Sequence, residues 1–253
     1  MFLVEGLLAS LVGIWALFYL DDKPADARWL PQAEKQALAT TIKQENEVKL
    51  SHGPGLFSKT LSDPRVWLFV SIYVLIQMSV YGVVFYLPTQ VSALLGKKVG
   101  FEVGLVTAIP WLCALAATFY LPRWADRRGT YASTASVTLA ISGLGIAVSA
   151  GSTPVVALIA LCFAAAGFIA VQPLFWTFPT GYLGGVAAAG GIAMINAIGA
   201  LGGFIAPNVK AWADASFGSP DAGLYVLAGT TLIGAALILP LMRQQPAIVP
   251  LLP

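Results

Sequence analysis

Charge is scarce in this chain: 10% of its 253 residues are Asp, Glu, Lys or Arg, against about 25% in a soluble domain. With 58% hydrophobic residues and 25 glycines, the composition excludes a water-soluble globular domain and predicts an integral membrane protein of the all-α class. Histidine is nearly absent. His52, the single one, lies in a polar stretch without acidic or cysteine neighbours, so neither a metal site nor any other cofactor is expected. Cys113 and Cys162 are the only cysteines, and both fall inside apolar runs. They read as buried free thiols and imply no disulfide framework. Acidic and basic residues nearly balance, 12 against 14, and no basic block points to nucleic acid. At membrane depth there are no paired aspartates, no H-E-x-x-H and no Ser/His arrangement, so an enzyme is not expected.

What the chain does have is long apolar runs. Seven approach or reach the roughly 20 residues that a spanning helix needs: Phe2–Leu20, Val66–Leu87, Val103–Leu121, Tyr131–Ala150, Val155–Phe178, Val186–Val209 and Gly223–Met242. The first lacks a basic n-region and a small-residue cleavage site, so a cleavable signal peptide is not expected there. The basic residues fall unevenly around these spans. Lys23, Arg28, Lys35, Lys43, Lys49, Lys59 and Arg65 come after the first, Arg123, Arg127 and Arg128 after the third, and Arg243 lies in the tail. The opposite side holds only Lys97, Lys98 and Lys210. Positive residues concentrate in cytoplasmic loops, which predicts an outside N-terminus and a cytoplasmic C-terminus.

The most distinctive stretch is AAAGGIAMINAIGALGGFIAP, Ala187 to Pro207. On a helix, Ala189, Ile192, Ala193, Asn196, Gly199, Ala200 and Gly203 share one face by i+3 and i+4 spacing. A face of small residues permits close helix approach or leaves open volume along a cavity wall. Asn196 sits mid-span, where an amide must pair with a neighbouring helix or face water. Both readings stay open. Gln77 and Tyr81, one turn apart in the second span, pose the same choice, as does Gln172 before Pro173 in the fifth. Phe175, Trp176 and Phe178, close to two prolines, read as an aromatic belt at the cytoplasmic interface, a structural role for Trp176 and Phe178, whereas Gln172 lies deeper. Tyr86 beside Pro88 reads as an interfacial anchor, Pro88 as an end or kink of its span, and Pro110 as a kink within the third. The fourth span, with Ser133, Thr134, Ser136, Thr138 and Ser142, reads as a packed helix, and the last span as structural. Asp126 to Gly129 reads as a compact charged turn.

The polar segment from Asp21 to Asp63 holds one helical reading. Pro31 suits a first helical turn, and Ala33 to Leu38 continues it, with Leu38 and Ile42 on one side. Asn46 to Ser58, through Ser51-His52-Gly53-Pro54-Gly55, reads as flexible linker.

Four segments resemble a known family: FLVEGLLA with LDDKPADARWLPQAEKQAL; YGVVFYLPTQV; VGLVTAIPWLCA with ADRRGTY; and PLFWTFPTGYLGGVAAAGGIAMINAIGALGGFIAP. They are similar to the anion:cation symporter branch of the major facilitator superfamily, specifically its bacterial tartrate- and phthalate-type organic-anion transporters. The resemblance implies twelve helices in two bundles with the substrate path between them. Residues 1–20 then correspond to the last part of the sixth helix, 21–63 to the cytoplasmic central loop and 64–253 to the C-terminal six-helix bundle. Met1 aligns inside the sixth helix, which places Glu5 deeper than its position here suggests. The N-terminal bundle, where the family keeps its acidic coupling residues and most anion-binding arginines, is missing.

The same resemblance implies secondary active uptake of a small organic anion, a carboxylate, by symport with a cation, expected to be a proton. The expected location is the bacterial inner membrane. Asn196, Gln77, Tyr81 and Gln172 would form the substrate-binding wall of this half, and Asp126 and Arg127 a conformational latch of the D-R-x-G type. Three departures stand out. Pro122 alters the approach to the latch motif, Ala200 stands where the family tends to have Asn, and Leu30 where it commonly has Thr. The alternative expectation is a truncated product or a half-protein without transport activity alone.

Overall fold

The computed structural model describes residues 2–21, 24–98 and 100–244. The side chains of His52, Val186, Arg243 and Gln244 lie outside that description, as does Lys23 entirely, so the expectations for His52, Lys23 and Arg243 fall outside the described residues. All regular elements among the described residues are helices. Seven of them are long and apolar enough to cross a membrane, and the chain is an all-α polytopic membrane protein.

Contacts divide the chain between Ser51 and His52. The first unit holds α1, Phe2–Tyr19, and α2, Gln32–His52. Helix α1 buries none of its residues and carries Glu5 in its first turn. Helix α2 begins one residue after Pro31, whose carbonyl accepts the Lys35 N–H at 3.0 Å. It continues well past Leu38, through Asn46 to His52, and so corrects the linker reading of that stretch. Glu45 and Lys49 lie one turn apart at 3.8 Å, a pairing that favours helix, and no Gly or Pro interrupts the segment before Gly53.

The second unit contains α3 (Phe57–Leu61), α4 (Pro64–Leu95), α5 (Phe101–Arg128), α6 (Tyr131–Ser149), α7 (Pro154–Tyr182), α8 (Gly185–Phe217) and α9 (Ala222–Ile238), closed by a 3₁₀ segment, Leu239–Gln244. Helix α3 starts inside the stretch expected to be flexible, at Phe57 and Ser58, and corrects that reading there too. Phe57 and Thr60 of α3 pack beside Gly190 and Gly191 of α8, which gives this short turn a tertiary anchor.

Helices α4 and α8 contain 32 and 33 residues, about 48 Å each at 1.5 Å per residue. Both exceed the hydrocarbon core, about 30 Å thick. The interior prolines do not end them: α4 passes Pro88, α5 passes Pro110 and Pro122, α7 passes Pro173 and Pro179, and α8 passes Pro207. Neighbouring helices make this possible by holding the turn that a proline weakens. The stretch read as a charged turn is likewise helical. Asp126, Arg127 and Arg128 occupy the last turns of α5, and Gly129, at φ 63°, supplies the left-handed stop. Arginines there complement the negative end of the helix dipole.

Between spanning helices surrounded by lipid there is little hydrophobic drive to associate, so close packing and hydrogen bonds take over. Helix α6 shows both. A Cβ on Gly145 would meet the Ala160 carbonyl, and one on Gly167 of α7 would meet Ser142 and the Thr138 carbonyl. Ser142 donates to the Ala164 carbonyl at 3.0 Å and Ser136 to the Ala235 carbonyl at 2.8 Å. Ser79 of α4 and Thr231 of α9 share a buried hydrogen bond of 2.6 Å. The hydroxyl-rich span is thus a packed helix, and α9 is structural. Cys113 and Cys162 are free but only half-buried, because α5 and α7 leave them partly at the bundle surface.

One polar staple closes the end of the bundle where α4 starts and α7 stops. Asp63 caps α4, accepting the Arg65 N–H at 2.8 Å, and its other oxygen accepts the Tyr182 hydroxyl at 2.7 Å. The Arg65 guanidinium lies 5.2 Å over the Tyr182 ring. Phe69, Tyr73, Phe175 and Trp176 continue this contact inward. Phe175 and Phe178 are buried, so the aromatic cluster packs the bundle and does not form an interfacial belt.

Candidate functional wall on helices α4, α7 and α8

Tyr73, Gln77 and Tyr81 recur every fourth residue on α4 and therefore form one line along the helix. Helix α8 meets that line with glycine. A Cβ on Gly199 would strike the Tyr73 ring, one on Gly202 the Val74 carbonyl and Gln77, and one on Gly203 the Tyr81 ring. The absent side chains let the two backbones approach, and that approach fixes where Gln77 and Tyr81 stand. Gln77 stays half-buried and Tyr81 is 38% exposed, its ring stacked 6.2 Å from Phe85.

The helical wheel places Asn196 and Gly203 on one face; the structure divides that face. Gly199 and Gly203 turn towards α4, whereas Ala189, Ala193, Asn196 and Ala200 are exposed. Asn196 thus stands alone as a polar group on an open strip of alanines. Among the described residues, no hydrogen bond to its carboxamide is formed, nor to those of Gln77 and Gln172. The interhelical hydrogen bond, one of the two readings open for Asn196 and Gln77, is therefore not what the geometry supports. Close packing and open volume are both present on α8, on adjacent sides.

Gln172 reaches the same region through α7. Helices α4 and α7 run antiparallel, with Phe69 facing Tyr182 at 6.1 Å and Tyr73 facing Trp176 at 5.0 Å between ring centroids. That register puts Gln77 and Gln172 at the next turn. The wall so formed carries amide and phenol groups and no fixed charge, which suits hydrogen bonding to oxygen atoms of a ligand.

Tyr81 also lines a cavity of about 240 Å³ that Asn196, Gln77 and Gln172 do not line. Its other side is Pro207, Lys210 and Asp214 of α8 and Tyr86 of α4. Lys210 pairs with Asp214 at 2.6 Å and lies 4.9 Å over the Tyr86 ring, and Asp214 also accepts the Gly223 N–H at 2.7 Å. Sequence reasoning misses this cluster because the apolar run ends at Val209 and leaves Lys210 to a loop. The i, i+4 spacing of Lys210 and Asp214 is the available signal that the helix runs on. It also gives Tyr86 a more specific partner than the membrane interface.

The two expected latch residues lie at the opposite end. Asp126 and Arg127 are exposed; Asp126 faces the Tyr131 hydroxyl across the turn at Gly129, and Arg127 lines a separate groove between α5 and α6. The structure does not bring them to the wall. Among the described residues, no group of three or more His, Cys, Asp or Glu side chains is placed to hold a metal ion.

The sequence pattern of the Major Facilitator Superfamily matches residues 1–207. The chain belongs to the major facilitator superfamily. Within it, 238 residues are 48% identical to the inner membrane transport protein RhmT of Escherichia coli, covering 94% of this chain and 55% of that protein. A putative tartrate transporter of Agrobacterium vitis is 36% identical, with 97% of this chain and 54% of that protein covered. A quinolone resistance transporter of Acinetobacter baumannii is 30% identical, with 94% and 55% covered. The chain thus spans about half the length of the curated relatives it matches. Membership in this superfamily and seven apolar helices together make it a multi-pass membrane protein similar to named transporters.

Proposed function

We propose that residues 64–253 form the C-terminal bundle of a bacterial inner-membrane transporter, with residues 1–20 and 21–63 as the preceding helix and central loop. In this reading the whole protein takes up a small organic anion, a carboxylate, by symport with a proton. The observation that carries it is Asn196, a mid-helix carboxamide exposed on an alanine strip with no side-chain hydrogen bond among the described residues. An intramembrane amide left without a partner is costly in lipid, so a water-filled path with ligand oxygens is the environment it fits. The name of the tartrate-transporter relatives supports a carboxylate.

Asn196, Gln77, Tyr81 and Gln172 donate hydrogen bonds to the anion from this side, and the fixed positive charge comes from the N-terminal bundle. A neutral wall can exchange partners as two bundles rock about a midplane site. Asp126 and Arg127 act as the latch at the cytoplasmic end, where the C-terminus also lies. Transport requires both bundles.

The test is uptake of labelled dicarboxylates and aromatic carboxylates into cells. The 253-residue chain alone is compared with the same chain joined in frame to the N-terminal bundle of its relative from Escherichia coli. Uptake by the joined protein only is the expected result. Uptake by the chain alone overturns the two-bundle requirement.

A further inference from the structure

Helices α5 and α6 are consecutive, yet they meet over only a short stretch, because each packs along α7 instead. The gap between them is a groove of about 800 Å³ floored by Phe163, Ala166 and Gly167. Its walls are apolar: Val137 and Ile141 of α6 and Leu121 of α5 line it. Ile141 lies ten residues into α6, so the groove reaches about 15 Å from the end of the bundle at 1.5 Å per residue. That end carries Arg123, Arg127 and Trp124 together with Ser133 and Thr134 of the first turns of α6.

The two arginines are exposed, and among the described residues neither forms an ion pair. Arg123 lies 5.5 Å over the Phe119 ring, which leaves its guanidinium edge for hydrogen bonding. The nearby carboxylate, Asp126, faces Tyr131 instead. The free N–H groups at the start of α6 add positive potential at the same place. All three helices are long and apolar enough to span a membrane, so the groove lies where lipid chains lie. An apolar slot leading inward from a cationic, aromatic rim matches one kind of occupant in charge and in depth.

We propose that this groove binds an anionic phospholipid, with the phosphate between Arg123 and Arg127 and one acyl chain along Val137, Ile141 and Phe163. The site is distinct from the wall on α4, α7 and α8, and it does not depend on which solute is carried. Arginine pairs bidentately with phosphate oxygens. An anionic headgroup keeps the net charge that this rim complements, whereas phosphatidylcholine cancels it with its own cation.

Native mass spectrometry of the purified chain in detergent tests the proposal. Phosphatidylglycerol, phosphatidylcholine with the same acyl chains, and glycerol phosphate are titrated separately. Phosphatidylglycerol should bind about thirtyfold more tightly than phosphatidylcholine, as expected for two basic contacts near a surface, and glycerol phosphate should not displace it. The double variant Arg123→Gln, Arg127→Gln should lose that preference. Arg128→Gln, which removes an arginine stacked 4.6 Å over Trp124 and not part of the groove lining, should retain it. Equal binding of the two lipids to the parent chain overturns the proposal, and so does a preference that survives in the double variant. Displacement by glycerol phosphate overturns the role of the acyl groove.

Discussion

Gly202 and Ala200 are two residues apart on α8, and they do opposite things. A Cβ at Gly202 would press on the Val74 carbonyl, the Gln77 Cβ and the Met78 N–H of α4, and backbone cannot yield as a side-chain tip can. Gly202→Ala should therefore destabilise the bundle by about 1–3 kcal/mol, read as a lower melting temperature in detergent. Ala200→Ser, on the exposed side, should stay within about 0.5 kcal/mol. Equal melting temperatures for the two would show that α8 does not approach α4 as closely as described. The sequence marks this stretch as small and amphiphilic in a membrane sense. It cannot tell which small residues touch a neighbour, because alanine and glycine serve both close packing and open walls.

At the scale of helices, the existence and order of the seven spans were legible, since each is a long apolar run. Their ends were not. The observed α5 carries Asp126, Arg127 and Arg128, and α8 carries Lys210 and Asp214, because charged residues extend a helix beyond the apolar core. Proline reads locally as an end or kink, yet four helices continue through it, held by their neighbours. Asp63 shows what an end consists of: it caps α4 and receives Tyr182 from α7. Asp63→Ala should cost the more, because it removes the cap, about 0.5–2 kcal/mol, and with it the acceptor of the Tyr182 hydroxyl. Tyr182→Phe should cost about 1 kcal/mol for the hydroxyl alone, and thermal unfolding of the two variants checks the order. If Tyr182→Phe proves the more damaging, Asp63 does not hold both contacts as the geometry has them.

At the scale of the whole molecule, composition alone excludes a soluble protein, and specific segments such as PADARWL and AAAGGIA point to the major facilitator superfamily. The shape of the candidate wall is less accessible. Asn196, Gln77, Tyr81 and Gln172 are ordinary helix positions in a sequence, and only the packing of α4, α7 and α8 shows that the three carboxamides form no hydrogen bond among the described residues. The proposal that this half supplies a neutral, hydrogen-bonding surface to a carboxylate turns on Asn196. Uptake of a labelled carboxylate substrate by Asn196→Ala, measured beside membrane abundance in the protein joined to an N-terminal bundle, tests that proposal directly. Loss of a hydrogen bond to a charged group predicts a fall of about tenfold or more in uptake efficiency at unchanged abundance. Unchanged uptake, or a loss of abundance that accounts for all of the lost uptake, would contradict it.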